Sequence, residues 1–146
     1  MRCLGLMSGT SADGVDAVLA EFNGRVRRPN WSLLHHQHTP YPCELKRRIV
    51  AAGQGNPLSG EDWLDLAEAI TEVQAAAARA CDPTSSAELV GCHGQTVWHR
   101  PPQELRRGAS WQVLQAPLLA RLLNRHVVHD FRAADLCVGG QLSLIH

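Results

Sequence analysis

The chain has 146 residues, of which 45% are apolar and 19% charged, a balance that excludes an intrinsically disordered or fibrous protein. Its 14 basic and 14 acidic residues cancel, so nothing in the charge indicates a nucleic acid or a membrane surface as a partner. No run approaches the roughly 20 apolar residues that span a bilayer, no secretory pattern is present, and the five cysteines form no CxxC pair. A cytoplasmic protein with free thiols is therefore expected.

The first third of the chain predicts three β-strands joined by short connections. Residues 3–7 form an apolar run, and small and turn-forming residues follow at 8–14. Residues 15–22 alternate imperfectly and end at Asn23-Gly24, a dipeptide typical of a tight hairpin. Residues 31–38 have the composition of a third strand. The three strands are expected to form an antiparallel meander.

The middle of the chain predicts two helices. Apolar side chains recur near helical spacing over residues 43–52 and, more regularly, over residues 61–80. We expect Ser59 to cap the second helix, with Asp62 in its first turn, and Asp82-Pro83 to end it.

The last third alternates between strands and helices. The predicted elements are a strand at 87–92, a polar turn at 93–96, a strand at 111–114, a helix at 116–123 and a strand at 126–129. Hairpin-linked strands followed by such alternation predict an α/β fold, a mixed sheet with helices packed on it.

The turn after the first strand is one candidate site. A phosphate chain needs hydrogen-bond donors at close range. This segment supplies unhindered backbone N–H groups and three hydroxyls, from Ser8, Gly9, Thr10, Ser11 and Gly14. Asp13 and Asp16 add carboxylates that could orient Mg²⁺. A Walker P-loop is excluded as a sequence match, because the only lysine, Lys46, lies too far along the chain. On composition alone, an ordinary glycine-rich hairpin is the slightly better interpretation.

A second candidate site follows the strand at 87–92, since open α/β sheets bind ligands where their strands end. His93, Gln95 and Thr96 could hydrogen-bond a sugar, and a structural turn with a solvated histidine is equally consistent. Cys92 and His93 are a poor nucleophile–base pair, because adjacent residues of a strand point to opposite faces.

Asp130 ends the strand at 126–129, where a carboxylate could act as a general base; a helix cap or ion pair is an equal alternative. Arg132 could pair with a phosphate or with Asp135. His36 and His38 share a face of the third predicted strand, but no third ligand has a suitable spacing. We therefore predict an exposed histidine cluster and no metal site there.

Three segments together resemble one family. GLMSGTSADGVD at 5–16, GCHGQTVWHRP at 91–101, and VHDFR at 128–132 with GGQ at 139–141 resemble the anhydro-N-acetylmuramic acid kinases in content, order and spacing. The resemblance implies one RNase H-like lobe of the sugar kinase, Hsp70 and actin superfamily. It also implies cytoplasmic conversion of 1,6-anhydro-N-acetylmuramic acid, ATP and water to N-acetylmuramic acid 6-phosphate and ADP, in peptidoglycan recycling.

The resemblance also implies roles for single residues. The ATP phosphates would be bound by Gly9, Thr10, Ser11, Ala12, Asp13, Gly14, Val15 and Asp16. Asp130 would be the catalytic base that activates a water, and the sugar would be bound by His93, Gln95, Thr96 and Arg132. ATP and Mg²⁺ are the implied cofactors, the partners are small molecules, and family members often dimerise.

The chain departs from the family pattern in three places. Ala12 stands where many members have methionine, and Leu114-Gln115-Ala116 stands where members commonly have Gly-Asp-Pro. Residues 142–146 replace the usual continuation into a second lobe. We therefore expect an N-terminal lobe at 1–141 with an aberrant tail, without the second lobe and inactive by itself. A non-catalytic sugar- or phosphate-binding fragment, or half of a split enzyme, is the alternative.

Overall fold

The computed structural model describes residues 1–25, 27–104 and 106–140. Gln141 of the GGQ segment and the tail at 142–146 lie outside the described residues. In chain order the described elements are β1 (Arg2–Ser8), β2 (Gly14–Arg25), β3 (Arg28–Pro40), α1 (Cys43–Gly53), α2 (Gly60–Cys81), β4 (Leu89–Arg100), β5 (Ala109–Val113), α3 (Ala116–Leu123), β6 (His126–His129) and α4 (Phe131–Cys137).

The strands form one mixed sheet. Its order is β3-β2-β1-β4, and both β5 and β6 pair with β4. Strands β1, β4 and β6 are parallel, whereas β2 is antiparallel to β1 and β3, and β5 is antiparallel to β4. The predicted α/β fold, a mixed sheet with helices packed on it, is confirmed.

The predicted antiparallel meander of β1, β2 and β3 is confirmed, but the position of its second reversal is wrong. Asn23 pairs with Asn30 and Gly24 with Pro29, so the ladder continues past the Asn-Gly dipeptide and the chain reverses between Arg25 and Arg28. Gly24 has a φ of +91° inside this two-stranded ribbon. The glycine therefore allows a positive φ within the paired strands, and it is not part of the turn.

The predicted helices lie where the spacing placed them. Ser59 forms a capping box with Asp62, because its Oγ accepts from the Asp62 N–H at 3.1 Å and its own N–H donates to Asp62 Oδ2 at 3.0 Å. After α2, the Asp82 carboxylate accepts hydrogen bonds from the N–H groups of Ser86 and Ala87. Burial raises the pKa of Asp82, but these bonds outweigh it and leave the pKa below its usual range. The bounds of α3 and β6 match the prediction, whereas α4 was not predicted.

Helices α1, α2 and α3 pack against one face of the sheet and form the hydrophobic core with it. Leu6 of β1 and Val15 of β2 are buried in the same cluster as Ile49, Leu66 and Leu119 of these helices. Burying each such side chain contributes about 1.5–3 kcal/mol. The other face carries an open apolar groove lined by Val18, Ala20 and Phe22 of β2 and by Val128 and Phe131, among others. None of the described helices is long and apolar enough to cross a membrane.

Candidate functional site

The three sequence motifs meet at one edge of the sheet. Ser8, the last residue of β1, lies opposite Gln95 of β4. His129, the last residue of β6, lies opposite Cys92 of β4, and Asp130 follows at once. The carboxyl ends of β1 and β6 therefore bring the turn and Asp130 to either side of the segment at 93–96, which lies within β4. In open α/β sheets this is the edge that binds ligands.

The turn itself runs from the end of β1 to the start of β2, as predicted. The Ala12 N–H donates to the Gly9 carbonyl oxygen at 3.2 Å and closes a four-residue turn. Ala12 is fully buried and has a φ of +51°, a left-handed conformation that costs an alanine about 1–2 kcal/mol. Such a conformation persists only where the surrounding structure holds it, so the backbone shape of the turn is imposed by its contacts.

Gly14 and Tyr41 fix the turn against the chain that leads into α1. A Cβ at Gly14 would meet the carbonyl oxygen of Thr39 and would lie 2.7 Å from Pro40 Cα. The Tyr41 N–H donates to the Asp13 carbonyl oxygen at 3.3 Å, and the Tyr41 and Ser8 hydroxyls hydrogen-bond at 3.1 Å. Burial raises the pKa of Tyr41 to about 12, so this hydroxyl stays neutral and holds the base of the turn.

Gln95 holds the turn from the side of β4. Its side chain is fully buried, and Nε2 donates to the Gly9 carbonyl oxygen at 2.7 Å and to the Thr96 carbonyl oxygen at 2.9 Å. Its Oε1 is also buried and has no hydrogen-bond partner among the described residues. The bond to Gly9 joins residues 86 positions apart. Gln95 thus links β4 to the turn, and a sugar contact by this residue stays a prediction.

The polar turn predicted at 93–96 is wrong, because β4 continues through it to Arg100. Gly94 has a φ of +76°, and the pairing with β1 shifts register between Leu6 and Ser8. A Cβ at Gly94 would lie 3.2 Å from the Val113 carbonyl oxygen on β5. The glycine forms a bulge inside a long strand, which redirects the side chains of the motif without ending the strand.

His93 and Arg132, both predicted to bind substrate, touch each other. Arg132 Nε donates to His93 Nε2 at 3.0 Å, and His93 Nδ1 lies 3.1 Å from the Gly94 carbonyl oxygen. These contacts assign the histidine proton to Nδ1. Burial, and then the charge of Arg132, lower the pKa of His93 and keep its ring neutral at pH 7. In the described structure Arg132 is oriented by His93 rather than by Asp135.

Replacing Arg132 with methionine is expected to raise the pKa of His93, because the neighbouring positive charge disfavours a charged ring. In the parent chain, the unfolded state binds a proton below about pH 6.5 before the folded state does. The free energy of unfolding should therefore decrease as the pH drops from about 6.5 towards the lowered pKa of His93. In the variant, the folded-state pKa lies closer to the unfolded-state value, so this pH range should be narrower. NMR titration of His93 measures the shift. Arg132→Lys, which keeps the charge, is the control, and an unchanged His93 titration in Arg132→Met would refute the coupling.

Asp130 lies between β6 and α4 in a left-handed conformation, with φ +60° and ψ 43°. It occupies the cap position of α4, but its side chain makes no capping hydrogen bond, and no ion pair among the described residues involves it. Such a conformation at a non-glycine residue costs about 1–3 kcal/mol and is common at functional sites. The exposed carboxylate is available to a ligand, and its role as a base stays a prediction.

The two carboxylates proposed for Mg²⁺ have different partners. Asp13 Oδ1 accepts from Lys46 Nζ at 2.6 Å, and this hydrogen bond, with one from Ser11, lowers the pKa of Asp13. Asp16 Oδ1 lies 3.0 Å from His38 Nδ1 and 3.5 Å from His36 Nε2. In the described part of the chain, no group of three or more His, Cys, Asp or Glu side chains is arranged to hold a metal ion. The exposed Asp13 fits an ion held mainly by phosphate oxygens and water, whereas Asp16 is engaged by the histidines.

Cys92 is unsuited to nucleophilic chemistry. Its side chain is fully buried, and its Sγ donates to Gln74 Oε1 at 3.4 Å. Burial raises the pKa of the thiol to about 11, so it stays protonated at neutral pH. The rejection of a Cys92–His93 pair, made from strand geometry, agrees with this environment.

Lys46 and Tyr41 are site residues that the sequence motifs did not include. A signal for them was present in the predicted meander. Because β2 and β3 are antiparallel, Gly14 at the start of β2 pairs with Pro40 at the end of β3. Residues soon after Pro40 must therefore lie beside the turn, and the first turn of α1 carries Lys46 there.

Comparisons with known proteins identify the family of the chain. The model of the family described as anhydro-N-acetylmuramic acid kinase matches residues 1–144. Proteins named anhydro-N-acetylmuramic acid kinase from Synechococcus sp. strains CC9902 and CC9605 are 70% and 71% identical to this chain over 141 residues. One from Prochlorococcus marinus strain MIT 9303 is 69% identical over the same length. Each match covers 97% of this chain, and the chain spans 37% of the length of these relatives. The chain belongs to the anhydro-N-acetylmuramic acid kinase family.

Proposed function

We propose that this chain forms the lobe of an anhydro-N-acetylmuramic acid kinase that binds the ATP phosphates and carries the catalytic base. The reaction would convert 1,6-anhydro-N-acetylmuramic acid, ATP and water to N-acetylmuramic acid 6-phosphate and ADP, and would recycle peptidoglycan sugar in the cytoplasm. One observation carries the proposal: the turn and Asp130 follow the carboxyl ends of β1 and β6, on either side of the segment at 93–96 in β4. The free cysteines of the chain fit a reducing compartment.

The phosphate half of the reaction is assigned to residues 9–16, which form the turn and the start of β2. Phosphoryl transfer depends mainly on positioning and on neutralising charge, and the turn is held rigidly by Gly14, Tyr41 and Gln95. Mg²⁺ bound with the nucleotide would neutralise part of the phosphate charge, and Asp13 is the carboxylate of the turn that fits it. The other predicted carboxylate, Asp16, would stay paired with His36 and His38 and would not contact the ion.

The sugar half is assigned to Asp130 and to the residues around His93. Asp130 would take a proton from water as the water oxygen attacks the anomeric carbon. The bond from that carbon to the bridge oxygen breaks, and the bridge oxygen receives the γ-phosphoryl group. Thr10 and Thr96 line one open groove beside β4, which supports phosphate and sugar being bound side by side. Arg132, oriented by His93, would bind the sugar from the other side of β4.

A second function, ligand binding without turnover, is favoured for these 146 residues in isolation. They span 37% of the length of the relatives, and the family resemblance implies that a nucleotide is held between two lobes. Without groups contributed from outside the match, the turn can bind phosphate but cannot enclose it. Enclosure excludes water and completes the set of catalytic groups.

Nucleotide binding and turnover test these two functions together. On adding Mg²⁺ and ATP to the 146-residue chain, we expect NMR amide shifts concentrated at residues 9–14, and smaller shifts with AMP, which lacks the β- and γ-phosphates. With 1,6-anhydro-N-acetylmuramic acid present, we expect no measurable ADP formation. Shifts away from the turn would contradict the phosphate assignment, and robust turnover would contradict inactivity of the isolated chain.

A further inference from the structure

The single lysine of the chain lies beside the turn. Lys46 is in the first turn of α1, and its Nζ donates to Asp13 Oδ1 at 2.6 Å. Both side chains are substantially exposed, at 43% for Lys46 and 62% for Asp13. Exposed ion pairs contribute about 0–1 kcal/mol, so stability alone gives little reason for this pairing.

The position of Lys46 is set by the same contacts that hold the turn. The Tyr41 N–H bonds to the Asp13 carbonyl oxygen, and the Lys46 N–H donates to the Pro42 carbonyl oxygen as α1 begins. Movement of the ammonium group relative to the turn is therefore limited to rotation of the lysine side chain. That side chain ends in a compact charge whose three donors can change partner.

The turn otherwise has an unfavourable charge for its proposed ligand. Asp13 presents a carboxylate where a polyphosphate would arrive, and like charges repel. None of the arginine hydrogen bonds in the described ranges goes to a residue of the turn at 9–13. Lys46 is thus the cation that contacts the turn in this part of the molecule.

Building on the proposed function, we infer that Lys46 is a phosphate-binding residue that exchanges partners. In the free chain its ammonium group neutralises Asp13. When a nucleoside triphosphate occupies the turn, the ammonium group moves to a phosphate oxygen and releases the Asp13 carboxylate towards the accompanying divalent ion. Without a nucleotide, the charges of Lys46 and Asp13 cancel at the turn. With a nucleotide bound, Lys46 supplies one positive charge to the phosphates.

The chain offers a direct test, because Lys46 carries its only ε-amine. An amine-acylating reagent can modify Lys46 and the N-terminus, and mass spectrometry separates the two products. The Met1 amine bonds to the Phe22 carbonyl oxygen at the opposite end of β1, so it is an internal control. At an ATP concentration ten times Kd, with Mg²⁺ present, acylation of Lys46 should slow about tenfold while that of Met1 is unchanged.

Two variants separate the partners of Lys46. In Asp13→Asn, the free chain should be acylated faster at Lys46, since the carboxylate no longer hydrogen-bonds the amine, and ATP should still protect it. Lys46→Gln should weaken ATP binding about tenfold, as expected for loss of one charge-assisted hydrogen bond. Arg48→Gln removes a neighbouring positive charge from the same helix and should leave ATP affinity nearly unchanged.

The outcomes distinguish this inference from the function on which it rests. If ATP shifts the turn amides while Lys46 is acylated at an unchanged rate, the phosphate role of Lys46 is overturned and the proposed phosphate turn stands. If ATP leaves the turn amides unchanged, the proposed turn function fails and the role of Lys46 fails with it. Equal losses of affinity in Lys46→Gln and Arg48→Gln would show a general charge effect and would also overturn the inference.

Discussion

Replacing Asp130 with asparagine is expected to lower anhydrosugar kinase turnover by about 10²–10⁴-fold, the usual contribution of a general base. The assay needs a chain of the relatives' length, so residues 1–140 would be joined to the remaining residues of the relative from Synechococcus sp. strain CC9902. Asparagine keeps the size of the side chain but cannot accept the proton of the attacking water. ATP affinity should be unchanged, because Asp130 is assigned to the sugar half of the site.

The backbone makes asparagine the suitable replacement. Asp130 has a φ of +60°, and asparagine, like aspartate, adopts this conformation more readily than other non-glycine residues. Asp65→Asn, at an exposed position of α2, is the matched control and should keep the parent rate. If Asp130→Asn turned over at the parent rate, the base assignment would be wrong.

Replacing Gly14 with alanine is expected to destabilise the chain by about 3 kcal/mol, at the upper end of what overpacking costs. The new methyl group would meet the Thr39 carbonyl oxygen and Pro40 Cα, which are backbone atoms that no rotamer change can move aside. Relief requires separating β2 from the end of β3, where the turn is anchored. Urea unfolding measures the loss, and ATP-induced shifts at the turn should be lost with it.

Gly60 provides the control for this substitution. It is the first residue of α2, and a Cβ there would meet no atom within 4 Å. Gly60→Ala should be neutral or stabilise the chain by up to about 1 kcal/mol, since alanine restricts the unfolded chain more than glycine does. If the two variants unfolded at the same urea concentration, the proposed packing constraint at Gly14 would be disproved.

Local sequence signals predicted the features that depend on neighbouring residues. Apolar spacing located α2, the Ser59 cap and the bounds of α3, because each depends on residues three or four positions apart. The strand at 126–129 followed from its β-branched residues. The turn between β1 and β2 followed from its small and polar residues.

The errors have a common physical cause, which is pairing between strands that overrides local turn signals. Asn23-Gly24 is a strong local turn signal, but the β2–β3 ladder continues beyond it. The residues at 93–96 suggested a polar turn, but β4 continues through them and bulges at Gly94, where its pairing with β1 shifts register. The supporting role of Gln95 was likewise not apparent from local sequence signals, because Gly9, which it contacts, lies 86 positions away.

The bond between Gln95 and Gly9 also has a consequence for the order of folding. The β1–β2–β3 meander closes over short connections, whereas pairing of β1 with β4 must close a loop of more than 80 residues, which is entropically slow. During synthesis the turn at 9–13 emerges early but remains without its Gln95 support until β4 has been made and docked. Triphosphate binding at the turn should therefore appear only after the hairpins, and in a refolding experiment it would report the final assembly of the sheet.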